Sequence, residues 1–186
     1  APDFMPAPHR ARPGDAVLVS GLLGQHGMAV MSVREGLAFQ AELESDTANL
    51  HPLVAALRDA VGDAVRTLRD PTRGGMASAL NEVAGVAGVG ILLDEAALPL
   101  SGPVRAACEM LGFDPLYVAN EGLLVALVAE ARAEEALKAL RAHPLGTHAA
   151  RIGEVVEDHP GLVAMRTGIG GTRGVDMLPG DQLPRI

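Results

Sequence analysis

The order of helix-like and strand-like segments in this chain predicts an α+β fold, with helices packed on a mixed sheet of five or six strands. Two observations carry that expectation. Strands and helices interleave without strict alternation, and the last two strand candidates, at 151–156 and 162–166, have no helix between them, which favours a layered α+β sheet over a doubly wound one. Hydrophobic residues make up 48% of the 186, enough for the sizeable core of a single domain.

The elements follow in order. Ala16-Val17-Leu18-Val19-Ser20, after the turn Pro13-Gly14-Asp15, reads as a buried strand. Gly24-Gln25-His26-Gly27 punctuates it before a helix running to about Glu35. Leu53, Leu57, Val61, Val65 and Leu68 recur at helical spacing with charged residues between them, so 53–68 is expected to be one amphipathic helix ending at Arg69-Asp70-Pro71. Thr72 is placed to cap a second helix over 75–87. A strand at 90–93, a helix at 104–111 stopped by Gly112, a strong strand at 123–128 and a helix at 133–143 ended by Pro144 complete the series before the last two strands. The Pro-rich residues 1–13 read as a linker or frayed end, 14–167 as the single domain, and 168–186 as an irregular, flexible Gly-rich tail. Ala1 in place of Met suggests a cut or processed chain.

Composition excludes several functions. The net charge of −8 and the lack of any arginine run argue against a polyanion surface, and with aromatics at 2% there is no stacking platform for single-stranded nucleic acid. Lys138 is the sole lysine, so no phosphate loop of the lysine-bearing type is present. Cys108 is the sole cysteine, which rules out a disulfide framework or a thiolate zinc site and suggests a reducing, cytoplasmic setting. The five histidines other than His26 show no metal-binding spacing. No apolar run approaches the roughly 20 residues of a membrane span.

Five groups of residues are weighed for chemistry. Asp70-Pro71-Thr72-Arg73-Gly74-Gly75 puts a carboxylate, a hydroxyl and a guanidinium at a helix start, where glycines let a ligand approach main-chain amides and the dipole favours anions; this suits a phosphate or a phosphate-bound Mg²⁺. The alternative is structural: Asp70 caps the helix, Pro71 sets its first turn and Arg73 pairs with a nearby acid. Asn120-Glu121-Gly122 precedes the strongest strand, so Glu121 can serve as a base or orient an amide donor at the sheet edge, or the three residues form a plain turn. His26 is either a ligand or proton carrier or a loop histidine capping a helix start, and Cys108 reads as a small core side chain. Gly168-Ile169-Gly170-Gly171-Thr172-Arg173 can cradle an anion or simply give the tail freedom.

In order along the chain, Pro13-Gly14-Asp15, Val19-Ser20-Gly21 with His26-Gly27, Ser45-Asp46, Asp70 to Gly75, Asn81-Glu82, Cys108-Glu109 with Leu111-Gly112, Asp114-Pro115, Asn120-Glu121-Gly122, Ile152-Gly153 and the final Leu183-Pro184-Arg185-Ile186 form a pattern that resembles the hydrogenase-maturation carbamoyl dehydratase family, HypE. The likeness spans all but the Pro-rich start. HypE sits in a wider group of ATP users with aminoimidazole ribonucleotide synthetase, selenophosphate synthetase and thiamine-monophosphate kinase. The Asp-x-Thr-Arg-Gly-Gly run is common to that group, whereas the Pro-Arg-Ile tail points to HypE.

The resemblance implies a C-terminal domain that is a three-layer α+β unit, partly ferredoxin-like. It implies a missing first domain that forms a homodimer and supplies most of an ATP and Mg²⁺ site. It also implies that the tail stops one residue short of the cysteine that carries the carbamoyl group. That group is loaded by the carbamoyltransferase HypF, dehydrated with ATP to a thiocyanate, and passed as cyanide to the HypC–HypD scaffold for the [NiFe] hydrogenase centre. Under this resemblance Asp70, Thr72, Arg73, Gly74 and Gly75 belong to the phosphate site, Glu121 with Asn120 handles the carbamoyl group, and no resident metal is assigned. The 186 residues alone are then expected to fold without turning over. Two other readings compete: a docking and tail-presenting module for maturation partners, and a domain of another ATP user of the group such as a selenophosphate synthetase.

Overall fold

The computed structural model describes residues 4–34 and 43–177. Among the described residues seven strands form one mixed sheet in the order β2-β4-β1-β5-β3-β6-β7. These are β1 (Ala16–Val19), β2 (Val65–Arg69), β3 (Gly90–Asp94), β4 (Val125–Val128), β5 (Ala150–Val156), β6 (Val163–Arg166) and β7 (Thr172–Gly174). Every pairing is antiparallel except β3 with β6, and β1 sits centrally, with Val19 opposite Val125 on one side and Ala150 on the other.

The strands are short continuous apolar runs because both faces of the sheet are covered. Val17 and Val19 of β1 join Val125 and Leu127 of β4 on one face, under Met76, Leu80 and Val83 of α3 (Gly75–Ala87). Ala16 and Leu18 point to the other face with Ala126 and Val128, beneath Leu53 and Leu57 of α2 (His51–Val61) and Leu137 and Leu140 of α5 (Glu130–Arg141). All four β1 residues are fully buried, so period-2 alternation sorts side chains between two dry layers rather than between core and water. A smaller cluster joins Met28 and Met31 of α1 (Gln25–Arg34) to Val104, Ala107 and Cys108 of α4 (Gly102–Leu111). This is the expected α+β architecture in three layers, with one strand more than the expected maximum.

Three local expectations fail. The helix expected over 53–68 stops at Val61, where Gly62 takes a left-handed φ of 50° and a short turn leads into β2. Val61, Val65 and Leu68 fit helical spacing, but Val65 and Thr67, both fully buried two positions apart, belong to a strand. The residues expected as a linker instead run along β2: Ala7 N donates to Arg66 O (2.9 Å), Thr67 Oγ1 donates to Ala7 O (3.0 Å), and Phe4 packs on the α2–α5 layer. Pro residues left few amides to signal this strap, yet it covers the exposed edge of the sheet. The tail expected to be irregular contains β7, followed by the fully buried Val175. The terminal Leu183-Pro184-Arg185-Ile186 lies outside the described residues.

Among the described residues no helix is long and apolar enough to cross a membrane.

Candidate functional site

The site is built where the chain leaves β1, enters α3 and approaches β4. Its centre is Asn120, 1% exposed. The side chain accepts from Gly24 N (2.7 Å) through Oδ1 and donates from Nδ2 to Pro71 O (3.1 Å) and Val118 O (3.1 Å), while Asn120 N also donates to Pro71 O (3.2 Å). Burying an amide side chain is costly unless its donors and acceptor are engaged, and here they are. Asn120 therefore stitches the start of α1 and the 70–75 loop to the strand approach, which brings together the two motifs that the sequence singles out. With its polar atoms committed to the backbone, it holds the site's shape.

The 70–75 loop has its own reason for two glycines. Gly75 has φ of 60°, and a Cβ there would lie 2.6 Å from Leu116 O and 2.7 Å from Val118 O, so the start of α3 presses directly on the 116–118 backbone. Gly74, also left-handed, stands in the cap position, and no side chain caps the helix. Thr72 does not cap α3: its carbonyl accepts from Gly75 N (3.0 Å), closing a tight turn that leaves its hydroxyl no capping geometry. The alternative roles for Asp70 and Arg73 also differ from what is observed. Both side chains are exposed and make no hydrogen bond or ion pair among the described residues, and the neighbouring Arg69 pairs with Glu82, two turns into α3.

Glu121 is exposed and its carboxylate is likewise unengaged among the described residues. Its backbone is held, however: Glu121 N donates to Asp46 Oδ1 (3.1 Å). Asp46 appears in the sequence only as one station of a pattern, and its contact 75 residues away leaves no local signal. His26 sits in the first turn of α1 with Nδ1 bonded to Ser45 Oγ (2.8 Å), so it fastens the same Ser45–Asp46 turn. Cys108 is 2% exposed, and burial, then Asp114 and Glu109, push its thiol up to about 11, as befits a core side chain. The Gly168 amide donates to Glu95 Oε2 (2.7 Å), so the Gly-rich run at 168–173 has one of its amides occupied by the chain's own carboxylate.

The arrangement offers an exposed carboxylate, an exposed guanidinium and a second exposed carboxylate on two loops locked together at their backbones, beside the N-terminus of α3. Such a set can bind an anion and move a proton. Among the described residues no group of three His, Cys, Asp or Glu is gathered where a metal ion would sit.

Comparison with known proteins follows the same lines. Residues 12–164 match the family described as AIR synthase related protein, C-terminal domain. The carbamoyl dehydratase HypE of Cupriavidus necator is 60% identical over 176 residues, which are 95% of this chain and 50% of that protein. A crystal structure of the hydrogenase maturation protein HypE in complex with ATP superposes with a TM-score of 0.90 at 46% identity, covering 95% of this chain and 54% of that one. A HypE–HypF complex gives 0.88 at 45%, covering 92% and 55%. The chain thus spans about half the length of the curated relatives it matches. With the matched region running from the turn before β1 into β6 and taking in every loop of the site, the chain belongs to the family of AIR synthase related C-terminal domains.

Proposed function

We propose that this chain is the C-terminal half of an ATP-dependent carbamoyl dehydratase that acts in hydrogenase maturation. The observation that carries the reading is the Asn120 junction, which fixes the Arg73 loop and the Glu121 loop to one another and leaves the side chains of both unengaged. The similarity to a HypE that was crystallised with ATP supports the substrate, and the similarity to a HypE in complex with HypF supports a carbamoyltransferase as partner. The HypC–HypD scaffold, a homodimer and a cytoplasmic setting rest on the resemblance, with the buried lone thiol of Cys108 in keeping with a reducing compartment.

In this mechanism Arg73 and the amides at the start of α3 hold phosphate oxygens, with Asp70 the one carboxylate of the loop able to face a magnesium ion that travels with ATP. The remaining ligands of that ion would come from outside the described residues. The γ-phosphoryl group passes to the carbamoyl oxygen with release of ADP, and the nitrogen gives up its first proton to solvent, leaving an imidate phosphate. Glu121 then takes the second proton from that nitrogen as the C–O bond breaks and phosphate departs, leaving the carbon–nitrogen triple bond of a thiocyanate. The thiol that carries the group cannot be Cys108, which is buried and holds its proton.

The test uses the full-length enzyme. Glu121→Gln keeps size and removes the base, so carbamoylation of the terminal cysteine and ATP binding are expected to persist while dehydration slows on the order of 10²-fold or more. Mass measurement of the terminal peptide reads both states. Accumulated carbamoyl adduct supports the role, and conversion at the unaltered rate refutes it.

A further inference from the structure

The loop that carries Glu121 is held on one side by Asn120 and on the other by the Ser45–Asp46 turn. Asp46 Oδ1 accepts from Glu121 N (3.1 Å), and the Asp46 carbonyl lies so near the next residue that a Cβ on Gly122 would be 1.5 Å from its oxygen. The Ser45–Asp46 turn is fastened in its own right, since Ser45 Oγ is bonded to His26 Nδ1 (2.8 Å) and to Thr47 Oγ1 (2.8 Å). Beside it lies an open cleft of about 480 Å³, lined in part by Gln25, Ser45, Asp46, Gly122 and Leu123. Among the described residues nothing fills the space next to this turn, and directed polar bonds with the Gly122 contact set its position. Asp46 Oδ2 is buried and has no hydrogen-bond partner among the described residues. A buried carboxylate oxygen left unpaired costs stability, and a group kept at such a cost calls for a role outside stability.

We propose that Asp46 is a positioning residue for the dehydration step: through the Glu121 amide it fixes where the Glu121 carboxylate stands. The proposal rests on the role given to Glu121 above. Asp46 touches neither ATP nor the carbamoyl group in this account. It acts on the rate of proton removal through the geometry of Glu121, because a displacement of about 1 Å at a reacting group is enough to slow a step by one to two orders of magnitude.

The experiment is a double-mutant cycle in the full-length enzyme loaded with its carbamoyl group, reading kcat, KM for ATP and thermal melting. Asp46→Ala is expected to lower kcat about tenfold and leave KM for ATP within about twofold, and Asp46→Asn, which keeps an acceptor oxygen, to recover kcat to within about threefold of the unaltered enzyme. In the Glu121→Gln background Asp46→Ala should cost no more than about twofold further, since two residues acting through one group are not additive. An unaltered kcat in Asp46→Ala, or a full tenfold loss on top of Glu121→Gln, overturns the proposal. Should Asp46→Ala fail to fold, Asp46→Asn carries the test, and a loss in it as large as that of Glu121→Gln overturns the proposal by assigning the effect to charge. A Glu121→Gln enzyme that turns over like the unaltered one instead removes the role of Glu121, a result that the other arms cannot produce.

Discussion

Two glycine-containing turns, 72–75 and 168–171, look alike in the sequence and behave differently in the fold. Each places glycines beside an arginine and a threonine, and each has the composition of an anion cradle. In the first, the glycine backbone is pressed against 116–118 and the side chains of Asp70 and Arg73 remain exposed and unengaged. In the second, the turn closes a hairpin through Thr167 N to Gly171 O (2.9 Å), Gly168 N goes to Glu95, and Arg173 pairs with Asp114. Glycine content alone does not distinguish a binding loop from a structural one. What distinguishes them is which polar groups the fold has already used.

The sharpest way to break the comparison is at the glycines themselves. Gly75→Ala must place a methyl group against two carbonyl oxygens at a left-handed φ, so it is expected to cost about 4 kcal/mol in chemical denaturation. A Gly75→Ala variant that unfolds with the midpoint of the parent would show that the 72–75 turn is as loose as its counterpart.

Arg73→Ala in the full-length enzyme is the next largest effect. ATP turnover should fall on the order of 10²-fold with melting nearly unchanged, because the guanidinium serves a ligand and not the fold. Its counterpart Arg173, tied to Asp114, should show the reverse pattern when replaced by alanine: a small loss of stability, below about 1 kcal/mol for a partly exposed pair, and no loss of ATP turnover.

Gly170→Ala sharpens the lower end. Gly170 also has a left-handed φ, 81°, but among the described residues no atom lies within 4 Å of the Cβ it would gain, so the cost reduces to backbone strain of about 1 kcal/mol.

Asp15 gives the smallest effect and a pH dependence. This carboxylate is committed like the groups of the second turn: it accepts from Arg12 N (2.8 Å) and is 4% exposed, and burial raises its pKa above the ordinary carboxylate value against the pull of Arg12 and Arg66. A raised value means that the folded protein holds the proton more tightly than the unfolded chain. The stability this contributes is complete below the unfolded pKa and is lost as pH rises through the folded one. Asp15→Asn should remove that decline, so that urea denaturation between pH 4 and roughly pH 6 shows a more positive slope of stability with pH than the parent.

How far the sequence discloses this molecule depends on whether the signal is local. The strand at β4 and the helices α3 and α4 are legible because each is an apolar run bounded by its own turn residues, Gly74, Gly88 and Gly112 among them. The junction of α2 and β2 is not, because Val61, Val65 and Leu68 satisfy a helical spacing by coincidence and only Gly62 hints at the break. At the site, the two motifs are legible one by one. Their meeting is not, since Asn120 reaches Pro71 across 49 residues and Gly24 across 96. The part played by Asp46 needs a neighbour 75 residues away and has no pattern of its own.

The strand order has a consequence for how the chain is made. Among the described strands only β6 and β7 pair with a neighbour in sequence, while β1 must wait for both β4 and β5. Sheets dominated by such distant pairings fold slowly, over roughly milliseconds to seconds. Val19 cannot meet Val125 until roughly a hundred further residues have left the ribosome, which at about 5–20 residues per second is a delay of roughly 5–20 s. For that interval the apolar strand Ala16–Val19 lacks both of its sheet neighbours, a longer wait than that of any later described strand, and an unpaired apolar edge is where a nascent chain is most open to wrong pairing.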